Sequence, residues 1–161
     1  MPDTTPGTAP APLRNPRGYH ATRVDATGRL KLPSRFSDYI RQLPEQTLFA
    51  TKVKDVARIY VNGAWERELN KLAGEPALRK RIARTAEAFG GDVDLDPQGR
   101  VTLPQKLREA LQLENQAMQL RFFEDIITLY LQQQFDAELT ANVAANPTDL
   151  ERAAELGFDV D

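Results

Sequence analysis

The stretch Val24-Asp25-Ala26-Thr27-Gly28-Arg29-Leu30-Lys31-Leu32-Pro33 returns 71 positions later as Leu95-Asp96-Pro97-Gln98-Gly99-Arg100-Val101-Thr102-Leu103-Pro104. Asp, Gly, Arg, the second Leu and Pro fall in register, and an apolar residue precedes each Asp and follows each Arg. Self-similarity at a fixed spacing decides the architecture before any single element does. Asp at the first position and Gly at the fourth suit a type I turn, because Asp can bond the backbone ahead of it and Gly tolerates positive φ. A type I turn followed by Gly in the left-handed region makes a tight hairpin loop with a bulge. Arg29 and Arg100 then open returning strands that alternate polar and apolar residues, as half-buried strands do. Pro33 and Pro104 suit the first turn of a helix. The unit is strand, tight turn, strand, helix, written twice.

The first copy spans residues 17–73. Phe36, Tyr39, Ile40 and Leu43 recur at helical spacing and predict a helix from Pro33 to about Leu43. Strands are expected over 47–51 and 58–61 about a turn at Lys54-Asp55. Asn62-Gly63 breaks the chain before a second helix from Ala64. A linking helix over 74–91 carries Leu78, Ile82, Ala86 and Phe89 as an apolar stripe, with Arg79, Lys80, Arg81 and Arg84 facing outward and Gly90-Gly91 as its stop. The second copy spans 92–143, with a helix from Pro104, a hairpin about Glu124-Asp125 and a helix from about Gln133. There the repeat continues at a spacing of 70: Asp55 matches Asp125, Tyr60 matches Tyr130, Trp65 matches Phe135 and Leu69 matches Leu139. Residues 1–16, rich in Pro, read as a disordered extension. Residues 144–161 form an acidic tail, either disordered or carrying a short helix from a Thr148 or Asp149 cap.

At 161 residues and 41% apolar content the chain is one domain, or two small repeats sharing one core. Without Cys it has neither disulfides nor thiolate metal sites, which fits a reducing cytoplasm. No run approaches the length of a membrane span, and no apolar N-terminal stretch suits a secretory signal. The net charge of −2 conceals an asymmetry. Residues 14–108 hold 19 Lys and Arg against 11 Asp and Glu, a balance of +8, and the ends hold the compensating acids. A basic body of this kind can meet phosphate despite the total.

The two ten-residue stretches, with Arg17-Gly18-Tyr19 ahead of the first and Tyr60-x-x-x-x-Trp65 near the end of the first copy, resemble the MraZ family of bacterial transcriptional regulators. Residues 17–143 carry the resemblance. It implies an α+β fold of two tandem AbrB/SpoVT-like modules, a swapped-hairpin or double-split barrel with short helices and an internal pseudo-twofold repeat. It also implies ring-like homo-oligomers, a cytoplasmic, nucleoid-associated protein, and binding to short direct repeats in promoter double-stranded DNA ahead of a division and cell-wall gene cluster. Where that family often has Lys before the motif Gly, this chain has Thr27 and Gln98, and Asn62-Gly63 stands in place of a frequent Pro.

Arg29 and Arg100 match the motif arginines to which DNA contact is ascribed. Arg suits both bidentate guanine contact and phosphate contact, although each could instead bond the Asp four positions earlier and lock its own loop. Asp25 and Asp96, with Gly28 and Gly99, are read as structuring the turns, since an acid repels phosphate. Lys31, Arg35, Lys106 and Arg108 flank the motifs, and Arg23 extends the basic surface; all five are candidates for the DNA face. Trp65, Phe135 and the tyrosines suit the core rather than base stacking. His20 is the only His, so no His-based metal cluster or triad is available, and no cofactor is expected. Asp92, Asp94 and Asp96 alternate like calcium-loop ligands, but Leu103 stands where such a loop requires Glu. With no P-loop, nucleophile motif or metal spacing, the expectation is not an enzyme. The rival to a DNA-binding regulator is an oligomeric scaffold that keeps the fold without specific DNA binding; an antitoxin-like AbrB relative is a third reading.

Overall fold

The structure, a computed structural model, describes residues 14–161; the expected N-terminal extension lies outside the described residues up to position 13. In chain order the first half contributes β1 (Gly18–Arg23), β2 (Arg29–Lys31), α1 (Ser34–Arg41), β3 (Leu48–Val53), β4 (Val56–Tyr60) and α2 (Ala64–Asn70). After α3 (Pro76–Phe89) come β5 (Gly91–Val93), β6 (Arg100–Thr102), α4 (Gln105–Leu111), β7 (Ala117–Phe123), β8 (Ile126–Leu131) and α5 (Gln132–Glu155). The fold is α+β. Among the described residues no helix is long and apolar enough to cross a membrane.

The turn chemistry is as expected. Gly28 has φ 82°, its N–H donates to the Asp25 carbonyl at 3.1 Å, and the Asp25 N–H donates to the Arg29 carbonyl at 3.0 Å. The second loop repeats this with Gly99 at φ 80° and distances of 3.0 and 2.8 Å. The flanking strands, however, do not stay together as hairpins. Only single bridges, Val24 to Leu30 and Leu95 to Val101, join them. Beyond those bridges β1 pairs with β7, and β2 pairs with β6. A three-residue strand ending at a Pro cannot hold a two-stranded hairpin in water, and each strand buries more by pairing across the molecule.

The large sheet is antiparallel in the order β1-β7-β8-β4-β3-β5, and β2-β6 forms a separate ribbon. Strands of the two copies are therefore interleaved, each β-hairpin of one copy lying between strands of the other: β1 of the first lies on β7 of the second, and β5 of the second lies on β3 of the first. The register is symmetrical under exchange of the copies. At the centre of the ribbon Leu30 faces Val101, its own counterpart at a spacing of 71, and at the centre of β4-β8 Arg58 faces Thr128, its counterpart at 70.

One apolar core fills the space between ribbon, helices and sheet. Leu30, Leu32, Val101 and Leu103 are buried beneath the ribbon, against Phe36, Ile40 and Leu107 of the helices and Ile59, Leu120, Phe122 and Ile127 of the sheet. The Phe36 and Phe122 rings meet edge to face at 4.9 Å. Removing this much apolar surface from water, at about 25 cal/mol per Å², is what a lone copy could not achieve. Tyr39 reaches the β7-β8 turn, where its hydroxyl donates to buried Asp125 at 2.6 Å. Burial, reinforced by that carboxylate, pushes the Tyr39 hydroxyl above its ordinary range.

One expectation holds and one changes. Gly90 ends α3 as expected, in extended backbone. It is required because a Cβ there would collide with the Ala50 carbonyl and stand 2.7 Å from Thr51 Cβ. The C-terminal region, expected to change character near 143, is instead one 24-residue helix containing Pro147. An interior Pro removes one helical hydrogen bond and crowds the preceding turn, a cost that the Ala-rich neighbourhood offsets by favouring propagation.

Candidate nucleic-acid interface

Side chains directly opposite in an antiparallel pair share a face, and residues two apart along a strand share it too. The register Arg29 to Thr102 and Lys31 to Arg100 thus sets Arg29, Lys31, Arg100 and Thr102 on one face of the ribbon. The other face is Leu30 and Val101, buried at 0% and 1% exposure. The burial of these two apolar residues is what holds the three cations outward. A shift of one residue would exchange the faces.

Each motif Arg is held by its own loop. Asp25 Oδ1 accepts the backbone N–H groups of Thr27 and Arg29, each at 2.9 Å, while Oδ2 accepts Arg29 Nε at 2.8 Å. In the second loop Asp96 accepts the N–H groups of Gln98 and Arg100 at 2.9 Å and Arg100 Nε at 3.1 Å. The bond from the Arg29 backbone, with the remaining donors, holds the Asp25 carboxyl well below the usual carboxylate range; Asp96 is lowered mainly by the Arg100 backbone N–H. Both carboxylates are ionised at neutral pH. They engage the guanidinium through Nε, and among the described residues the Nη groups of Arg29 and Arg100 bond to nothing else. Such exposed pairs are screened by solvent and contribute little to stability; their effect is on orientation.

The loops are locked by the opposite copy. The Leu32 N–H donates to the Gly99 carbonyl and the Leu103 N–H to the Gly28 carbonyl, both at 2.9 Å. Arg108 of α4 lies across Gly28, its Nε donating to the Leu103 carbonyl at 2.9 Å and its Nη1 to Glu114 at 3.1 Å. Ser37 of α1, the counterpart of Arg108 in the repeat, lies against Gly99. Lys31 reaches the Gln98 carbonyl through Nζ. Arg41, at the end of α1, caps the second loop by donating to the carbonyls of Asp96 at 2.9 Å and Pro97 at 3.1 Å.

The ribbon therefore brings together Arg29, Lys31 and Arg100. Thr22, beside Arg23 at the end of β1, donates its hydroxyl to the Lys31 carbonyl at 3.0 Å, and Arg23 is exposed. Arg35 and Lys106, counterparts in the repeat, are exposed in the first turns of α1 and α4. Arg108, by contrast, keeps only 17% of its side chain exposed and has its donors engaged under the first loop. Arg41 was not among the expected residues. It has no cationic counterpart in the second copy, where Gln112 stands, so repetition gave no signal for it. The aromatic residues are only partly in the core: Trp65 stacks on Phe49 at 5.0 Å, and Phe135 meets exposed Tyr19 at 4.8 Å.

A family profile described as "MraZ protein, putative antitoxin-like" matches residues 89–157. The transcriptional regulator MraZ of Koribacter versatilis is 36% identical over 116 residues, covering 69% of this chain and 79% of that protein. The protein of the same name from Acidobacterium capsulatum is 43% identical over 101 residues, covering 60% and 69%. That of Pseudomonas fluorescens is 34% identical over 137 residues, covering 80% and 88%.

Proposed function

The chain belongs to the MraZ family, and from that premise we propose that it is a DNA-binding regulator of transcription whose β2-β6 ribbon meets double-stranded DNA. The observation that carries the reading is the single-faced array of Arg29, Lys31 and Arg100. Its two arginines are aimed by their own loops through Nε, leaving the paired donors of each guanidinium for guanine edges or phosphate. Arg23, Arg35 and Lys106 extend the positive surface on either side. Arg108 acts beneath the loop, holding Gly28 and Arg29 in place.

The interleaving of strands between the copies supports a swapped-hairpin barrel, and we assign the fold to that type. A ring-like homo-oligomer would repeat the ribbon face, so that several weak contacts act together on spaced direct repeats in a promoter. A division and cell-wall gene cluster is the regulated target that the family resemblance implies, and a nucleoid-associated protein in the cytoplasm is its corollary. The scaffold alternative draws on the overall acidity and on the missing motif lysines at Thr27 and Gln98.

The test is the salt dependence of binding, followed by fluorescence anisotropy. Log K should fall by about 0.9 per neutralised phosphate per log unit of salt. Arg29→Ala with Arg100→Ala should weaken binding and reduce that slope by up to about 2 per engaged protomer. A folded double variant with unchanged affinity and slope would remove the ribbon from the function.

A further inference from the structure

Beyond its first turns α5 has no partner among the described residues. Leu139, Val143 and Leu150 fall on one stripe at spacings of four and seven and are 48%, 62% and 38% exposed; Leu156 and Phe158 just beyond the helix are 71% and 62% exposed. The same end of the chain is acidic, with Asp149, Glu151, Glu155, Asp159 and Asp161 against Arg152. A helix so exposed on its apolar stripe is incomplete alone.

A surface of opposite character lies between β3-β4 and helices α2 and α3. Tyr60, Trp65, Leu69, Leu72, Ile82 and Phe89 line a groove of about 540 Å³. Ile82 on its edge is 44% exposed. The rim carries Lys52, Lys54, Arg58 and Lys71, with Glu68 as the one acid, paired to Lys71. The exposed Arg79, Lys80, Arg81 and Arg84 continue the positive charge along α3. Arg58 Nε is buried without a hydrogen-bond partner among the described residues, a cost that an incoming carboxylate would relieve.

We propose that the C-terminal half of α5, with the residues that follow it, seats in this groove of a second copy. The inference rests on the oligomeric reading given above and supplies its interface. Docking within one chain is opposed by the helix itself. Its start is pinned by Gln134, whose Nε2 donates to the Asp55 carbonyl at 3.1 Å, and 24 continuous residues run about 36 Å without turning back. Pairing of two α5 helices would bury the same stripe but bring acidic flanks together, which costs energy at close range. The groove offers apolar contact and the opposite charge at once. Because helix and groove are different patches of one chain, each copy gives one and receives one. Exchanged reciprocally by two copies the contact closes a twofold dimer; passed head to tail it closes into a ring or extends as a filament.

The chain has no Cys, so the test is disulfide trapping between full-length single-cysteine variants, Ile82→Cys and Leu150→Cys. One variant carries an affinity tag so that mixed and like dimers separate, and light scattering reports assembly in parallel. Mixed dimers in excess over like dimers are the expected result. A preponderance of Leu150→Cys like dimers would overturn the proposal in favour of helix pairing. An assembled protein with no mixed bond would overturn it while leaving the oligomeric reading intact. A monomer by light scattering, for the unmodified chain, would instead refute the oligomeric reading itself.

Discussion

Gly28 and Gly99 occupy equivalent places in the repeat with nearly the same φ, 82° and 80°, yet the structure predicts unequal costs for replacing them with Ala. Both substitutions place a Cβ in the left-handed region, at about 1–2 kcal/mol. At Gly99 the new atom meets Lys31 Nζ at 3.2 Å and Ser37 Oγ at 3.5 Å, and Lys31 is exposed and can retreat, so the backbone term should be nearly the whole effect. At Gly28 the new atom overlaps the Arg108 side chain and stands 2.6 Å from its Cζ. Arg108 must leave the Leu103 carbonyl and Glu114, and a hydrogen bond involving a charged group contributes about 1.5–3 kcal/mol. Gly28→Ala should therefore cost about 3 kcal/mol and Gly99→Ala about 1 kcal/mol. The assay is urea unfolding followed by the fluorescence of Trp65, the only Trp. Protein concentration is held constant because assembly enters apparent stability. Combining Gly28→Ala with Arg108→Ala should recover a coupling of about 1–2 kcal/mol. Equal losses at the two glycines, or additive effects of Gly28 and Arg108, would refute the reciprocal locking of the loops.

Three further outcomes follow from the same geometry. The carboxyls of Asp25 and Asp96 are depressed in the folded protein, so their contribution is fully present above the ordinary Asp value of about 3.9 and is lost as pH falls toward their folded values. Asp25→Asn with Asp96→Asn should flatten the fall of Tm below about pH 4; superimposable profiles would contradict the assignment. The buried Thr51 hydroxyl donates to the Ala86 carbonyl at 2.7 Å and ties α3 to the sheet. Thr51→Val should cost about 1 kcal/mol and speed amide exchange in α3, whereas unchanged protection there would show the tie to be dispensable. Thr102 sits opposite Arg29 as Lys31 sits opposite Arg100, so Thr102→Lys should tighten DNA binding at low salt and steepen its salt dependence by about one unit per engaged protomer; no change would place that edge of the ribbon off the DNA.

Much of this architecture is legible in the sequence. Asp, Gly and Arg at fixed offsets announced the loops because turn chemistry is local: the Asp carboxylate bonds residues two and four ahead, and only the Gly position takes positive φ. The repeat spacings of 71 and 70 reappear in the register of the two central strand pairs. Strand partners were not legible, since three-residue strands leave the choice to burial elsewhere in the molecule. Gly90 is legible as a helix stop, but the neighbouring strand's backbone that requires it is not, and the acidic composition of 144–161 hides that α5 runs on to Glu155. Of the cations, alternation sets only Arg29 and Lys31 on one face of their own strand; Arg100 joins them through the β2-β6 pairing, and Arg41 and Arg108 take their supporting roles from contacts between the copies that no local pattern encodes.

Whether the ribbon arginines read DNA is decided by a gel shift. The probe is DNA from upstream of the protein's own gene, run beside shuffled DNA of equal length at two salt concentrations, with the unmodified chain and the Arg29→Ala, Arg100→Ala variant. The expected result is a shift selective for the upstream probe, weakened by salt and lost in the folded variant. A shift that ignores probe sequence and both arginines, or none even at low salt, would contradict it.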